Sequence, residues 1–423
     1  MKKISLFVFL LFLIQTLVTN IIFPQWLAGD RFSDTSDQEF VPHIQFNSQN
    51  LGWEVHPAQR DSVSKTTNGG INWTAYTTGD TNRMSGLFFI DNNTGWVVGQ
   101  RGKIAKSTNG GTSWILQSSG VQSWLNSVYF IDANTGYSVG SKDSNRVVLK
   151  TTNGGSVWQI LLRNNLARLY SVWATSSQSV YCVGDSGSVI YSSNGGISWS
   201  NQSSGTGATL RDVIFKNYSS FSLGWIAGKN GTILTTSNGG TSWINRSFNT
   251  VNFFGIDFSP NAPDSGYVCG RGRIYKTING GINWTQQTIP VLDTVNIKDI
   301  FCISSKNVWA VPWSGNLIYT LNGGVTSVEP ISSEIPTQLS LSQNYPNPFN
   351  PDTKIRFEIN KSDFVKLIVF DITGKTLAIL VNEELNPGVY ETTWDASHRP
   401  SGLYYYRLET QSIKETKKMI LLK

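Results

Sequence analysis

Seven side chains recur at equivalent places along this 423-residue sequence. Arg83, Trp124, Arg168, Tyr170, Arg211, Phe254 and Lys298 fall just ahead of, or at the start of, short apolar runs that read as β-strands. A second set, Arg101 and Arg271 together with Arg60, Lys103, Lys142, Arg146, Lys229 and Trp313, falls in loops further along each unit. Guanidinium groups grip carboxylates through paired N–H donors, and aromatic faces stack on sugar rings and cations. The chemistry these residues suit is capture of an anionic or carbohydrate ligand.

Residues for bond-breaking are harder to assemble. His43, His56 and His398 are scattered, which supports neither a zinc cluster nor a histidine-based triad. Glycoside hydrolysis needs two opposed carboxylates. Asp91, Asp132 and Asp264 sit in turns where Asx hydrogen bonding accounts for them, and no pair stands out. The glycine-rich segments lead into strands rather than helices, so they are not phosphate cradles. No catalytic residue, metal ligand or cofactor is assigned. The net charge of +6 is modest for the length, and no nucleic-acid partner is expected. Cys182, Cys269 and Cys302 lie in apolar runs and read as buried thiols, with Cys269 and Cys302 the pair worth testing for a bond.

The elements that position these side chains repeat. Asn-Gly-Gly occurs at Asn68, Asn109, Asn153, Asn194, Asn238, Asn279 and Asn322, in steps of 41, 44, 41, 44, 41 and 43 residues. A second marker, an aromatic that opens a strand, recurs at Trp53, Trp96, Tyr137, Tyr181, Trp225, Tyr267 and Trp309. Between them one unit reads as four strands: Asn126 to Ile131, Gly136 to Gly140, Arg146 to Thr151 and Ser156 to Ile160. Four antiparallel strands in 40–45 residues make a β-propeller blade, so the expectation is an all-β chain with seven blades. In each box the Asn side chain accepts backbone N–H groups, the glycines supply positive φ, and a hydroxyl two residues earlier pins the incoming strand. The boxes are therefore expected to be structural. The loops carrying the cations and aromatics open on the opposite face, near the central channel.

Ser107-Thr108-Asn109-Gly110-Gly111-Thr112-Ser113-Trp114 resembles the Asp-box of BNR-repeat propellers, with Asn at the acidic position. The longer pattern, Gly-Trp-Val-Val-Gly followed by Gly-Lys-Ile-Ala-Lys-Ser-Thr-Asn-Gly-Gly, is similar to the photosystem II assembly and stability factor group. That resemblance implies protein partners and a basic binding face. Asp-boxes also occur in sialidases, which leaves a glycan-active hydrolase of sialidase-like architecture as the alternative function. The Phe-Arg-Ile-Pro-type segment of that family is absent. The seventh box lacks its Trp, whereas Trp26 belongs to no unit; the segment around Trp26 is expected to supply the fourth strand of the last blade.

Residues 1–24, with Lys2 and Lys3 before an apolar run, read as a signal peptide. The propeller is expected over 25–328 and a linker over 329–338. Residues 339–423 read as a small Ig-like sandwich. Gln343-Asn344-Tyr345-Pro346-Asn347-Pro348-Phe349-Asn350-Pro351, Asp371-Ile372-Thr373-Gly374-Lys375, Pro387-Gly388-Val389-Tyr390 and Ser401-Gly402-Leu403-Tyr404 are similar to a type A C-terminal sorting domain of the type IX (Por) secretion system. This implies the type IX machinery as a partner, transit across both membranes of a Gram-negative bacterium without spanning them, and a secreted or cell-surface location. It also implies removal of the domain on export.

Overall fold

The computed structural model describes residues 26–32, 42–55, 61–142, 145–164, 166–218, 221–287, 289, 295–313, 315–324, 330–332, 335–374, 376–396 and 399–423. The expected signal peptide lies outside them. The described residues form nine four-stranded sheets, seven of which are the blades of one propeller. From innermost to outermost strand, the first six run His43–Phe46 to Thr74–Thr77, Met84–Phe89 to Ile115–Gln117, Trp124–Phe130 to Gln159–Asn164, Leu169–Ala174 to Ser200–Gln202, Leu210–Tyr218 to Ile244–Asn245 and Phe253–Phe258 to Thr285–Gln286.

The seventh blade takes three strands from Ile297–Cys302, Val308–Pro312 and Gly315–Thr320. Its outer strand is Leu27–Phe32, antiparallel to Gly315–Thr320 with Leu27 opposite Tyr319 and Arg31 opposite Asn316. Trp26 occupies the place of the missing box Trp. It is fully buried, lies edge-on to Tyr267 at 6.0 Å, and its Nε1 would stand 2.9 Å from a Cβ placed on Gly324. The ring is closed by sequence from the other end of the chain, which leaves no blade edge short of a partner strand.

Each box folds on its own hydrogen bonds. Ser107 Oγ accepts the Gly111 amide at 2.8 Å and donates to Asn109 Oδ1 at 2.9 Å, while Asn109 Oδ1 also accepts the Ser113 amide at 2.9 Å. Thr66, Thr151, Ser192, Thr236, Thr277 and Thr320 repeat the first of these bonds at 2.7–2.9 Å. The two glycines sit at φ 71° and 83° in the second blade, where a side chain would be strained. Because Asn153 Oδ1 takes the Val157 amide at 2.9 Å, the loop uses up residues expected in a strand. The outer strand of the third blade begins at Gln159 rather than Ser156.

The two repeated markers are bonded to each other across blades. Trp53 Nε1 donates to Gly110 O at 2.9 Å, Trp96 to Gly154 O at 3.1 Å, Trp225 to Gly280 O at 2.9 Å and Trp309 to Gly69 O at 2.9 Å. Tyr137, Tyr181 and Tyr267 donate through their hydroxyls to Gly195 O, Gly239 O and Gly323 O. The same rings stack on a phenylalanine at the end of the next inner strand: Trp53 on Phe89 at 3.8 Å, Trp96 on Phe130 at 3.5 Å, Trp225 on Phe258 at 3.7 Å and Trp309 on Phe46 at 3.9 Å. The box Trp then closes edge-on, as Trp114 does against Phe89 at 5.9 Å. Offset stacks and edge contacts between buried rings add to the area they remove from water.

Cys182, Cys269 and Cys302 are buried and free; Cys269 and Cys302 share one apolar cluster without bonding. The remaining two sheets form the C-terminal sandwich. One orders Pro330–Ser332, Gly388–Asp395, Asp352–Ile359 and Ser340–Leu341, and the other orders Thr376–Leu385, Asp363–Phe370, Gly402–Glu409 and Lys414–Leu421. Phe357, Leu367, Tyr406, Leu408 and Met419 fill the space between them. Pro330–Ser332, inside the stretch expected to be linker, is an edge strand paired with Tyr390.

Trp26→Ala should cost about 3–5 kcal/mol in chemical denaturation, the range for emptying a buried aromatic site. Trp309→Phe keeps the stack but removes the bond to Gly69, and should cost about 1 kcal/mol. Glu54 provides a test of opposite sign. It takes the second-strand position held elsewhere by Val97, Cys182 or Val268, is fully buried, and neither carboxyl oxygen has a hydrogen-bond partner. Burial pushes its pKa up to about 8. As pH rises above the ordinary glutamate value the unfolded chain ionises and the folded one does not, so stability falls until about pH 8. Glu54→Val should raise Tm, by more at pH 7 than at pH 4.5, with a difference on the order of 3 kcal/mol. A gain independent of pH would contradict a neutral buried acid.

Candidate ligand-binding site

Six inner strands carry a bulge at their start. Pairing shifts between Met84 and Gly86, Leu125 and Ser127, Leu169 and Ser171, Leu210 and Asp212, Phe253 and Gly255, and Ile297 and Asp299. A bulge re-aims the residue it contains, and here those residues are Ser85, Asn126, Tyr170, Arg211, Phe254 and Lys298. In the second and third blades the bulged residue is spent on the neighbouring blade. Ser85 Oγ donates to Leu125 O at 2.5 Å and Asn126 Nδ2 to Leu169 O at 2.7 Å. From the fourth blade to the seventh these small polar groups give way to long cationic and aromatic ones.

Those four side chains form two cation–aromatic units. The Arg211 guanidinium lies 4.1 Å from the centre of the Tyr170 ring, and the Tyr170 hydroxyl donates to Asp185 at 3.2 Å. The Arg211 Nε is shielded from solvent and has no hydrogen-bond partner. Lys298 Nζ lies 4.1 Å from the centre of Phe254 and 5.5 Å from that of Trp313. Burial, helped by the charge of Arg211, draws the Lys298 pKa down to about 8. The two units therefore sense each other electrostatically. The Arg211 side chain as a whole is only half-buried, and its open part is what a ligand anion would meet.

The other expected site residues stand on surrounding loops, except Trp124, which opens the inner strand of the third blade. Arg83 and Arg168 hold their loops through their carbonyls, which accept the amides of Gln100 at 2.9 Å and Asp185 at 3.0 Å. Trp124 Nε1 donates to Ser85 Oγ at 2.9 Å. Arg101, exposed at φ 58°, lines a cavity of about 270 Å³ with Asp80, Lys103 and Gln117. Arg271 is exposed beside a single bridge to Asn296.

One residue deeper than the cations lies a cluster that the linear motifs did not reveal. His43 Nδ1 is 3.2 Å from Asp299 Oδ2, and Asp299 Oδ2 also accepts the Ile44 amide at 3.0 Å. Asp212 accepts Ser171 Oγ at 2.9 Å and the Ile256 amide at 3.1 Å. Burial, then the charge of Asp299, pushes Asp212 up to about 6. For His43 burial works against the charged form, but the contact with Asp299 outweighs it and the pKa is raised. Gly255 stands between the two carboxylates; a Cβ there would lie 3.0 Å from Asp299 Oδ1. His43, Ser127, Ser171, Asp212 and Asp299 share one position in five inner strands, so superposing the repeats was the signal that could have found them. Each carboxylate reaches the unpaired edge of an adjacent inner strand, which is a structural use of charge. Among the described residues, no group of three or more acidic, histidine or cysteine side chains is placed to hold a metal ion.

Comparison with known proteins places both halves of the chain. Residues 71–214 match the family described as photosynthesis system II assembly factor YCF48, and residues 343–422 match the secretion system C-terminal sorting domain. No curated protein matches the sequence. Among solved structures, YCF48 bound to a D1 peptide superposes with a TM-score of 0.54 at 18% identity, over 70% of this chain and 94% of that one. PorZ, a surface component of the type IX secretion system of Porphyromonas gingivalis, gives 0.54 at 13% identity over 93% of this chain and 60% of its own. A GH74 enzyme from Niastella koreensis gives 0.55 at 12% identity, over 78% and 58%. At these identities the likeness shows the fold, which enzymes and non-enzymes share. The chain is an all-β protein that joins a YCF48-like propeller region to a type IX secretion C-terminal sorting domain, the mark of a protein exported to the cell surface or beyond.

Proposed function

We propose that this protein is a binding or scaffold protein, delivered to the cell exterior by its C-terminal domain, whose propeller captures an anionic ligand at the channel mouth. The propeller would span residues 25–328 and the sorting domain 339–423. The observation that carries the reading is the pair of cation–aromatic units at the bulges of neighbouring inner strands, with half-buried Arg211 stacked on Tyr170. Lys298, held between Phe254 and Trp313, supplies a second cation, and Arg83, Arg101, Trp124, Arg168 and Arg271 would extend the contact outward. Ligand carboxylates suit the guanidinium, and sugar or aromatic rings suit the stacking walls. The peptide bound to YCF48 in one similar structure supports including peptides beside glycans among the candidates.

A hydrolase reading would rest on Asp212 and Asp299. Asp212 and Asp299 each accept a backbone amide from a neighbouring inner strand, and Asp299 also accepts that of Ile300 in its own, which favours a structural role over attack on a glycosidic bond. Turnover of a glycan that stops on Asp212→Asn in a folded protein would reverse that preference.

Capture can be measured with immobilised carboxylated glycans, acidic peptides and surface extract. Arg211→Ala combined with Lys298→Met should lower retention at least tenfold while the melting transition stays cooperative; unchanged retention would discard this mouth as the site. Retention should also weaken as pH rises through about 8, where Lys298 loses its proton. Removing residues 339–423 should leave the propeller in the periplasm.

A further inference from the structure

The junction between the first and last blades joins residues far apart in sequence. Two of its contacts are indifferent to pH: Trp309 stacks on Phe46 at 3.9 Å, and its Nε1 donates to Gly69 O at 2.9 Å. Others depend on protons. Asp299 of the last blade accepts the Ile44 amide at 3.0 Å and lies 3.2 Å from His43 Nδ1, both in the first blade. At two equivalent places the acceptor is a hydroxyl: Ser127 Oγ takes the Val172 amide at 3.4 Å, and Ser171 Oγ the Val213 amide at 3.3 Å.

Glu54 lies in the same junction. It pairs with Ile44, and directly opposed residues share a face of a sheet. Ile44 packs with Trp309, Val311 and Leu317 of the last blade, so that face is the one turned to the junction. Trp53 and Val55, on either side, pack into the second blade instead. The corresponding residue is Val97, Ser138, Cys182, Ile226, Val268 or Ala310 in the other blades. Glu54 is fully buried, and neither oxygen has a partner. Of the described titratable groups on the elements around it, Lys65 turns to the second blade, 2.9 Å from a Cβ placed on Gly110, and Cys302 Sγ reaches Asp257 in the sixth. His43, Lys298 and Asp299 lie at the channel, and Tyr319 stands opposite Trp309. None of them bears on the Glu54 carboxyl, whose pKa burial alone raises to about 8.

We propose that this junction is a pH-operated clasp, shut while Glu54 is neutral and His43 charged, and loosened as both lose their protons. The two groups act in one direction, because the closed junction holds protons that the open one sheds. Burial raises the pKa of Glu54; for His43 burial opposes the charge, and the contact with Asp299, aided by Asp212, outweighs it. Closure is therefore strongest below the ordinary glutamate range and is lost as pH climbs, for Glu54 until about pH 8 and for His43 from the ordinary imidazole range upward. Across the Glu54 window the open junction gains about tenfold per pH unit. Opening is local, since the six junctions between consecutive blades remain, and proteins open such units without unfolding as a whole. Asp299 follows Lys298 directly, so the strand that the clasp holds also carries the second cation of the mouth.

Hydrogen exchange of the full chain, corrected for the intrinsic effect of pH on exchange, tests the clasp. The Ile44 amide reports the junction, and the Val172 and Val213 amides, which make the equivalent bond between other blades, are the internal control. Between about pH 5.5 and about pH 8 the protection of Ile44 should fall at least tenfold while that of Val172 and Val213 holds. Glu54→Gln keeps the size of the side chain without its charge and should remove most of the fall; adding His43→Gln should remove the rest. If Glu54→Gln does not fold, Glu54→Val, which places there the residue found at 97 and 268, serves the same purpose. Protection of Ile44 that ignores pH, or a fall as large in the Glu54 variants as in the parent, would overturn the clasp. So would a fall shared equally by all three amides, which is a global loss of stability rather than an opening of the junction.

Discussion

Everything in the propeller depends on one contact made seven times: an aromatic on the second strand of a blade donates a hydrogen bond to the first glycine carbonyl of the next blade's box. A tight turn leaves such a carbonyl pointing away from its own sheet, and burial without a partner would be costly. The indole or phenol that satisfies it also buries its ring against the neighbouring inner strand. Polar satisfaction and apolar burial are therefore met by a single side chain, and each blade is positioned by the one before it. Gly110 and its equivalents are required because their backbone lies in the left-handed region, where other residues are strained.

The channel side is organised by the complementary constraint. Inner strands pair on one side only, and their free amides must find acceptors. Ser127, Ser171, Asp212, Asp257 and Asp299 supply them, each reaching one blade onward, and Asp299 does so across the closing seam to Ile44. Carboxylates near the channel are explained by that demand. The bulge just before this position frees one residue from strand pairing in each of the last six blades, and from the fourth blade to the seventh that freedom is given to cations and aromatics. The result is a one-sided crescent rather than a symmetric ring.

Much of the fold was legible because its signals are local and repeated. Asn-Gly-Gly and the strand-opening aromatic counted the blades, and the seventh box without its Trp pointed to Trp26. The contact between the two markers was not legible, since it joins residues 55–58 apart within the ring and Trp309 to Gly69 across the seam. Likewise the cationic residues could be placed on one face from loop order, but not sorted. Backbone bulges decide that Arg211 and Lys298 converge while Arg101 and Arg271 stand apart, and a bulge leaves no mark in residue type. His43, Asp212 and Asp299 meet only because the ring closes.

The seam strand sets an order of events. A chain emerging in sequence order makes Leu27–Phe32 before any blade exists, yet its partner Gly315–Thr320 comes nearly three hundred residues later. Six blades can assemble from neighbouring sequence, whereas the seventh must join the two extremities of the propeller and so carries most of the loop-closure entropy. Until that moment the growing arc has two raw ends. The strand synthesised first is the last to be seated, and it alone turns an arc into a ring.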